Sequence, residues 1–218
     1  MRRVKTYLET KAVGLTGGIG SGQSTVGEIF SRFGCKIINL DLKAKQLIDR
    51  DRTIQNEIRK EFGASVFMGN SVLNRRILGE IVFNSEQKLQ SLNRIVHPRL
   101  VPLVVEEMEA ARFSRKYPIV ILDAALIFEL NFEQMFDLVI VVYSDQNTRI
   151  ERIRKRDQLS RGEVITRLKS QIPLEEKKHW ADIVIENNGT REELQKETER
   201  VFKKISDDIP VQRRIRIE

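Results

Sequence analysis

The run GGIGSGQST, from Gly17 to Thr25, has residue types and spacing suited to holding phosphate. Gly17, Gly18, Gly20 and Gly22 let backbone N–H groups turn inward around phosphate oxygens, with Ser21 between them, and the following helix adds the partial positive charge of its N-terminus. Gly17, Gly22 and Ser24 match the template G-x-x-x-x-G-K-[ST], in which the hydroxyl at position 24 is a ligand of Mg²⁺. The departure is Gln23, where the template has lysine. A lysine there brings a full charge to the β- and γ-phosphates and stabilises the phosphoryl group as it moves. Glutamine has N–H donors but no charge, and losing one such contact costs roughly 10²–10³ in rate. Binding is expected to suffer less than chemistry, because the backbone cradle remains. The alternative is a glycine-rich turn with no ligand.

The surrounding elements suit a loop of this kind. Ala12–Thr16 is a short apolar run before the glycines, as a buried parallel strand would be. Val26, Ile29, Phe30 and Phe33 then fall on one helical face, with Gly34 as a stop. Further strands are read at Cys35–Leu40, Ile119–Leu122, Leu138–Tyr143 and Ile183–Ile185. SRGE (160–163) and TREE (190–193) read as capping boxes that open helices. The stretch from 42 to 115 has helical periodicity almost throughout. It is broken by a turn-like GNS at 69–71 and by His97-Pro98, where the proline suits a first helical turn. Strand alternates with helix, apart from one long helical insertion after the second strand. The expected fold is therefore α/β, a five-stranded parallel sheet with helices on both faces. The 218 residues divide into a core of 12–41, 117–145 and 181–206, an insertion at 42–116 and a basic helical lid at 146–180, forming a single domain.

Composition narrows the function. The chain has 40% hydrophobic and 32% charged residues and no apolar run approaching a membrane span, so no membrane role is expected. One cysteine, Cys35, excludes an internal disulfide and fits a reducing compartment, hence the cytoplasm. Burial in a strand makes that thiol a packing group. The net charge is +7 and the pI about 9.6. Residues 149–169 hold eight Arg or Lys against three acids, and Arg213, Arg214 and Arg216 follow in the tail from Val211. A surplus gathered in a lid-sized segment favours a local phosphate site. No aromatic residue is interleaved with these arginines, so nucleic acid is not the expected partner.

Several blocks in order resemble the dephospho-coenzyme A kinases, a family of P-loop kinases. They are GLTGGIGSGQST, INLD ending at Asp41, NRRILGEIVF at 74–83, LNRIVHP at 92–98, LDAALIFE at 122–129, the arginine segment with LKSQ, and ADIVIENNG at 181–189. The chain departs from the family at Gln23, at DAALI from Asp123, and at Arg149, where glutamine is common. The resemblance implies a P-loop NTPase-type fold. It also implies transfer of the γ-phosphate of ATP, with Mg²⁺, to the ribose 3′-hydroxyl of dephospho-coenzyme A, giving coenzyme A. Two other readings stay open: another nucleotide or small-molecule kinase of the same loop class, and a nucleotide-binding protein in which Gln23 marks lost chemistry.

The individual residues carry paired readings. Asp41, at the carboxyl end of strand two, is placed to accept the proton of an attacking hydroxyl, or else caps the next helix. Asp123, ending strand three, would hold Mg²⁺ through water together with Ser24, or be a structural acceptor. Arg149, Arg152 and Arg156 share a helix face by spacing, as phosphate clamps or as a solvated basic face. Family position favours Arg152 and Arg156 as lid residues closing over ATP and leaves Arg149 the weaker candidate. Arg75 in the insertion is a candidate for the acceptor's phosphates, or an ordinary surface arginine. His97 reads as a structural histidine at the substrate side. Asn187 and Gly189 would frame the adenine, or form a plain turn. Lys43 and Lys45, just after Asp41, and the lid arginines above the loop are candidates to replace the missing lysine.

Overall fold

A computed structural model describes residues 10–69 and 72–207. The turn at 69–71 in part, and the arginines of the tail, lie outside the described residues. Five strands, β1 (Lys11–Gly17), β2 (Lys36–Asn39), β5 (Ile119–Asp123), β6 (Leu138–Tyr143) and β7 (Ile183–Glu186), form one sheet in the order β2-β5-β1-β6-β7. Every neighbouring pair is parallel. All five carboxyl ends therefore emerge along one edge, and the loops that follow them meet there.

Strand alternation assigns each residue to a layer. Val13, Leu15, Ile119, Ile121, Ile140, Val142 and Ile185 pack with α1 (Gln23–Arg32) and α9 (Arg191–Asp207). Their neighbours Ala12, Val120, Leu122, Val139 and Val141 face the other way. That second layer is built from α2 (Leu40–Arg50), α3 (Arg52–Phe62), α4 (Arg75–Phe83), α5 (Glu86–Phe113) and α8 (Leu174–Trp180). Between α5 and α8 the chain also forms α6 (Gln146–Asp157) and α7 (Arg161–Lys169), whose Ile150, Ile153 and Val164 make a small core of their own beside Ile19. The expected parallel sheet covered on both faces is the observed fold.

Local signals set the helix ends. Ser160 and Glu163 form the reciprocal capping box at α7. Thr190 and Glu193 make the same exchange before α9, through Thr190 N to Glu193 Oε2 (2.7 Å) and Glu193 N to Thr190 Oγ1 (3.2 Å). Gly34, at φ 83°, follows the last turn of α1 in the left-handed region that favours glycine.

Three expectations are corrected. Strand β2 stops at Asn39, and the chain enters α2 at once: Asn39 Oδ1 accepts from Leu42 N (2.7 Å), so Asn39 is the cap and Asp41 sits in the first helical turn. A two-stranded antiparallel ladder, β3 (Phe67–Met68) with β4 (Val72–Leu73), interrupts the helical insertion. Pro98 does not open a helix; it and Pro102 lie inside the 28-residue α5. Each proline removes a backbone donor, a cost of roughly 3 kcal/mol in an isolated helix. The buried stripe Val96, Leu100, Val104, Met108 and Ala111 opposes that cost by packing the helix against the sheet.

Candidate active site

The phosphate loop joins β1 to α1. Gly20 and Gly22 hold φ of 82° and 91°, where other residues are strained. A Cβ on Gly22 would also stand 2.1 Å from Asn187 Nδ2. The Ser21 side-chain oxygen is buried with no hydrogen-bond partner. An orphaned hydroxyl in a glycine cradle is what an incoming phosphate would satisfy. Ser24 is exposed in the first turn of α1 together with half-buried Thr25. The Ser24 hydroxyl, an oxygen donor, fits a hard cation such as Mg²⁺ brought in on phosphates.

Gln23 has its amide nitrogen engaged at the strand ends, while the amide oxygen stays beside Gly17 of the loop. Its Nε2 donates to Asp123 Oδ1 (2.6 Å) and to Leu15 O (3.1 Å), which uses both amide hydrogens. Asn39 Nδ2 donates to the other oxygen, Asp123 Oδ2, at 2.7 Å. Register explains this trio, since Asp123 is the cross-strand partner of Leu15 on one side and of Asn39 on the other. Burial pushes the Asp123 pKa up, against the two amide donors, with the charge of Asp41 adding to the rise. Asp41 is itself solvent-exposed yet walled in by protein, and that desolvation raises its pKa while Lys45 opposes it. Two carboxylates thus lie close enough to interact at the carboxyl edge of the sheet, Asp123 at the end of β5 and Asp41 in the first turn of α2.

The lid arginines do not act as one face. Arg152 reaches Ser144 Oγ (3.3 Å) and Asn187 Oδ1 (3.4 Å), while Asn187 Nδ2 donates to Ser21 O (2.7 Å). This ties Arg152 and Asn187 to the loop. Arg156 instead forms a bidentate pair with the adjacent Asp157 at 2.7 and 2.9 Å, and its side chain is 64% exposed. Arg149 is buried and donates from Nε to Ile19 O at 3.0 Å, directly against the loop. Gly189 makes no such tie; a Cβ there would meet Glu193 Oε2 at 2.0 Å, so it serves the turn into α9.

The remaining candidates lie apart from the loop. Arg75 donates to Asp49 Oδ1 (2.6 Å) and to Lys45 O (3.2 Å), pinning α4 to α2. His97 is half-buried in α5 near the Phe132 ring, at 6.4 Å between centroids, and burial lowers its pKa. Lys43 is paired with Glu107 at 2.5 Å. Cys35 is buried just before β2, its thiol pushed up to about 12.

Sequence reasoning missed a second set of ties. Gln171 Oε1 accepts from Ile19 N (3.1 Å), joining the end of the lid to the phosphate loop. Lys177, fully buried, donates to Glu129 Oε1 (2.6 Å) and Ala125 O (2.8 Å), and Glu129 Oε1 also accepts from Ile172 N (3.1 Å). Nothing in a basic helical run marks one lysine for burial. A cleft of about 630 Å³ opens beside these residues, with Asn84, Leu89 and Asn93 of the insertion facing Leu126, Glu129 and Gln171. Among the described residues no helix is long and apolar enough to cross a membrane.

The family of dephospho-CoA kinases matches residues 11–193. A dephospho-CoA kinase from Bacillus licheniformis is 38% identical over 182 residues, covering 83% of this chain and 90% of that protein. Another from Bacillus cereus is 38% identical over 197 residues, covering 89% and 96%. Among solved structures, the dephospho-CoA kinase from Campylobacter jejuni shares 31% identity at a TM-score of 0.66, over 90% of this chain and 97% of its own. A Thermus thermophilus protein shares 31% identity at a TM-score of 0.75, over 89% and 97%. A shikimate kinase from Acinetobacter baumannii, 14% identical at a TM-score of 0.52 over 92% and 96%, has the same fold.

Proposed function

The chain belongs to the dephospho-CoA kinase family, and we propose that it transfers the γ-phosphoryl group of ATP to the 3′-hydroxyl of dephospho-CoA, giving CoA. The observation that carries this reading is the meeting of a glycine phosphate cradle with two carboxylates, Asp41 and Asp123, at the carboxyl edge of the sheet. A cleft between insertion and lid adjoins that edge and suits the acceptor.

The loop amides and Ser21 would hold the phosphates, and Arg152 with Asn187 would border the nucleotide. Asp41 would take the proton of the acceptor hydroxyl; a carboxylate raised above its ordinary pKa is the better base. Asp123, held by Gln23 and Asn39, keeps a fixed orientation toward the loop. Ser24, with Asp123 through water, would hold Mg²⁺, which when bound neutralises charge on the transferring phosphoryl group. Arg156 would have to leave Asp157 to reach ATP on lid closure. Arg75 and His97 are assigned to the acceptor side, Arg75 through its place on α4. The reaction is that of a cytoplasmic enzyme acting on small molecules, with no nucleic acid or membrane partner.

Nucleotide binding without transfer is the second reading, favoured by one observation: the Gln23 amide donates to Asp123 and Leu15. ADP release measured with and without dephospho-CoA separates the two, with the product identified by mass. Acceptor-dependent ADP release supports the kinase. ATP binding with no acceptor-dependent turnover sinks it.

A further inference from the structure

Arg149 has no part in the scheme above, yet it is the most deeply placed arginine near the loop. It lies in the first turn of α6, one turn before Arg152, with 7% of its surface exposed. The guanidinium rests on the loop backbone. A Cβ on Gly18 would stand 2.5 Å from Nη2 and 2.7 Å from Cζ, so glycine at 18 is what admits it. Its Nε donates to Ile19 O at 3.0 Å.

The rest of the fork is unused. A guanidinium has five N–H donors, and among the described residues the Nη groups of Arg149 have neither a hydrogen-bond partner nor an ion pair. The neighbouring charges do not complete it. Glu175 attracts it from a distance and already accepts from the Tyr143 hydroxyl. Lys177 repels it and is paired with Glu129. Burial drives the Arg149 pKa down against the opposing pull of Tyr143 and Glu175, so the protein disfavours the charge it has enclosed. A buried cation left without an anion is strongly unfavourable, and a guanidinium fork recognises phosphate oxygens in pairs. Meanwhile the loop's own position for a cation is filled by Gln23, whose amide hydrogens are directed at Leu15 and Asp123.

We propose that Arg149 is a phosphate-binding residue: its free Nη donors take an ATP phosphate oxygen at the Gly18–Ile19 side of the loop and supply the charge that Gln23 lacks. This rests on the reading of Gly17–Thr25 as an ATP site. The two positions would then be energetically coupled, because either cation relieves the need for the other.

The test is a double-mutant cycle on the full chain: wild type, Arg149→Gln, Gln23→Lys and the double variant. ATP affinity is measured by calorimetry with Mg²⁺, and kcat with dephospho-CoA. Arg149→Gln is expected to weaken ATP binding at least about tenfold. The gain in affinity from Gln23→Lys should be at least about tenfold larger with Gln at 149 than with Arg. Unchanged ATP affinity in Arg149→Gln, or equal gains in the two backgrounds, overturns the proposal in favour of a purely structural arginine. If Arg149→Gln does not fold, Arg149→Lys carries the test. A gain in ATP affinity from Gln23→Lys at least about tenfold larger with Lys at 149 than with Arg supports the fork as a phosphate ligand, and equal gains in a folded protein overturn it. If no variant phosphorylates dephospho-CoA, the kinase reading fails while the ATP cycle still decides the role of Arg149.

Discussion

Gln23 is bonded to Asp123 across 2.6 Å, fastening the first turn of α1 to the last residue of β5. The residue that departs from the loop template is thereby a structural strut. Gln23→Met keeps its length and removes both donors, leaving Asp123 Oδ1 and Leu15 O without that partner. The expected loss is about 1–3 kcal/mol of unfolding free energy, read from urea denaturation. The loss has a pH signature. The folded Asp123 pKa is already raised, so stability falls as pH rises from the unfolded value through the folded one. Removing the amide that favours the carboxylate raises it further, so Gln23→Met should lose more stability at pH 7 than at pH 4. An equal loss at both would assign the effect to Leu15 and packing.

Asp41→Asn is expected to lower kcat by roughly 10²–10⁴ while leaving ATP affinity within about threefold, because shape is kept and the proton acceptor is lost. Desolvation raises the Asp41 pKa. The wild-type rate should therefore fall on the acid side at a pH above the ordinary aspartate range, and that limb should vanish in the variant. A pH–rate profile with the same acid limb in both proteins would remove Asp41 from the chemistry.

Lys177→Met should be among the costliest single changes. It strips the buried partner from Glu129 and a donor from Ala125 O, and Glu129 Oε2 already has no partner. Breaking one side of such a pair costs about 3–5 kcal/mol, readable in a urea titration. Adding Glu129→Gln to the variant should recover part of it, since the stranded charge is then gone. A single variant within about 1 kcal/mol of wild type would show that the pair is unimportant to the fold.

His97 gives an acid-side test. Its pKa is lowered by burial, so the unfolded chain takes up the proton more readily than the folded one. Stability is lost as pH falls through the ordinary histidine value toward the folded one. His97→Gln should match wild type near pH 7.5 and become the more stable of the two near pH 5.5. Urea midpoints for both proteins at both pH values measure this, and parallel losses would show that His97 does not titrate on unfolding.

What the chain determines by itself is mostly local. The alternation in β1, β5 and β6 follows from branched apolar residues in short runs, and the boxes at Ser160 and Thr190 from side chains that reach their own backbone. The glycine spacing of the loop is likewise local, because it answers to φ and to close backbone approach. Tertiary structure decided where long-range packing outweighs a local rule. Pro98 and Pro102 read as punctuation, yet α5 runs through both because its apolar stripe is buried against the sheet. Three arginines at helical spacing look equivalent in one dimension. In the fold Arg149 is enclosed by Gly18 and Ile19, Arg152 touches Asn187, and Arg156 turns to Asp157, since each meets a different neighbour. Lys177 and Glu129 are 48 positions apart in the chain. Burial of that pair depends on α8 packing over β6 beside the loop that follows β5, which residue type and spacing do not encode.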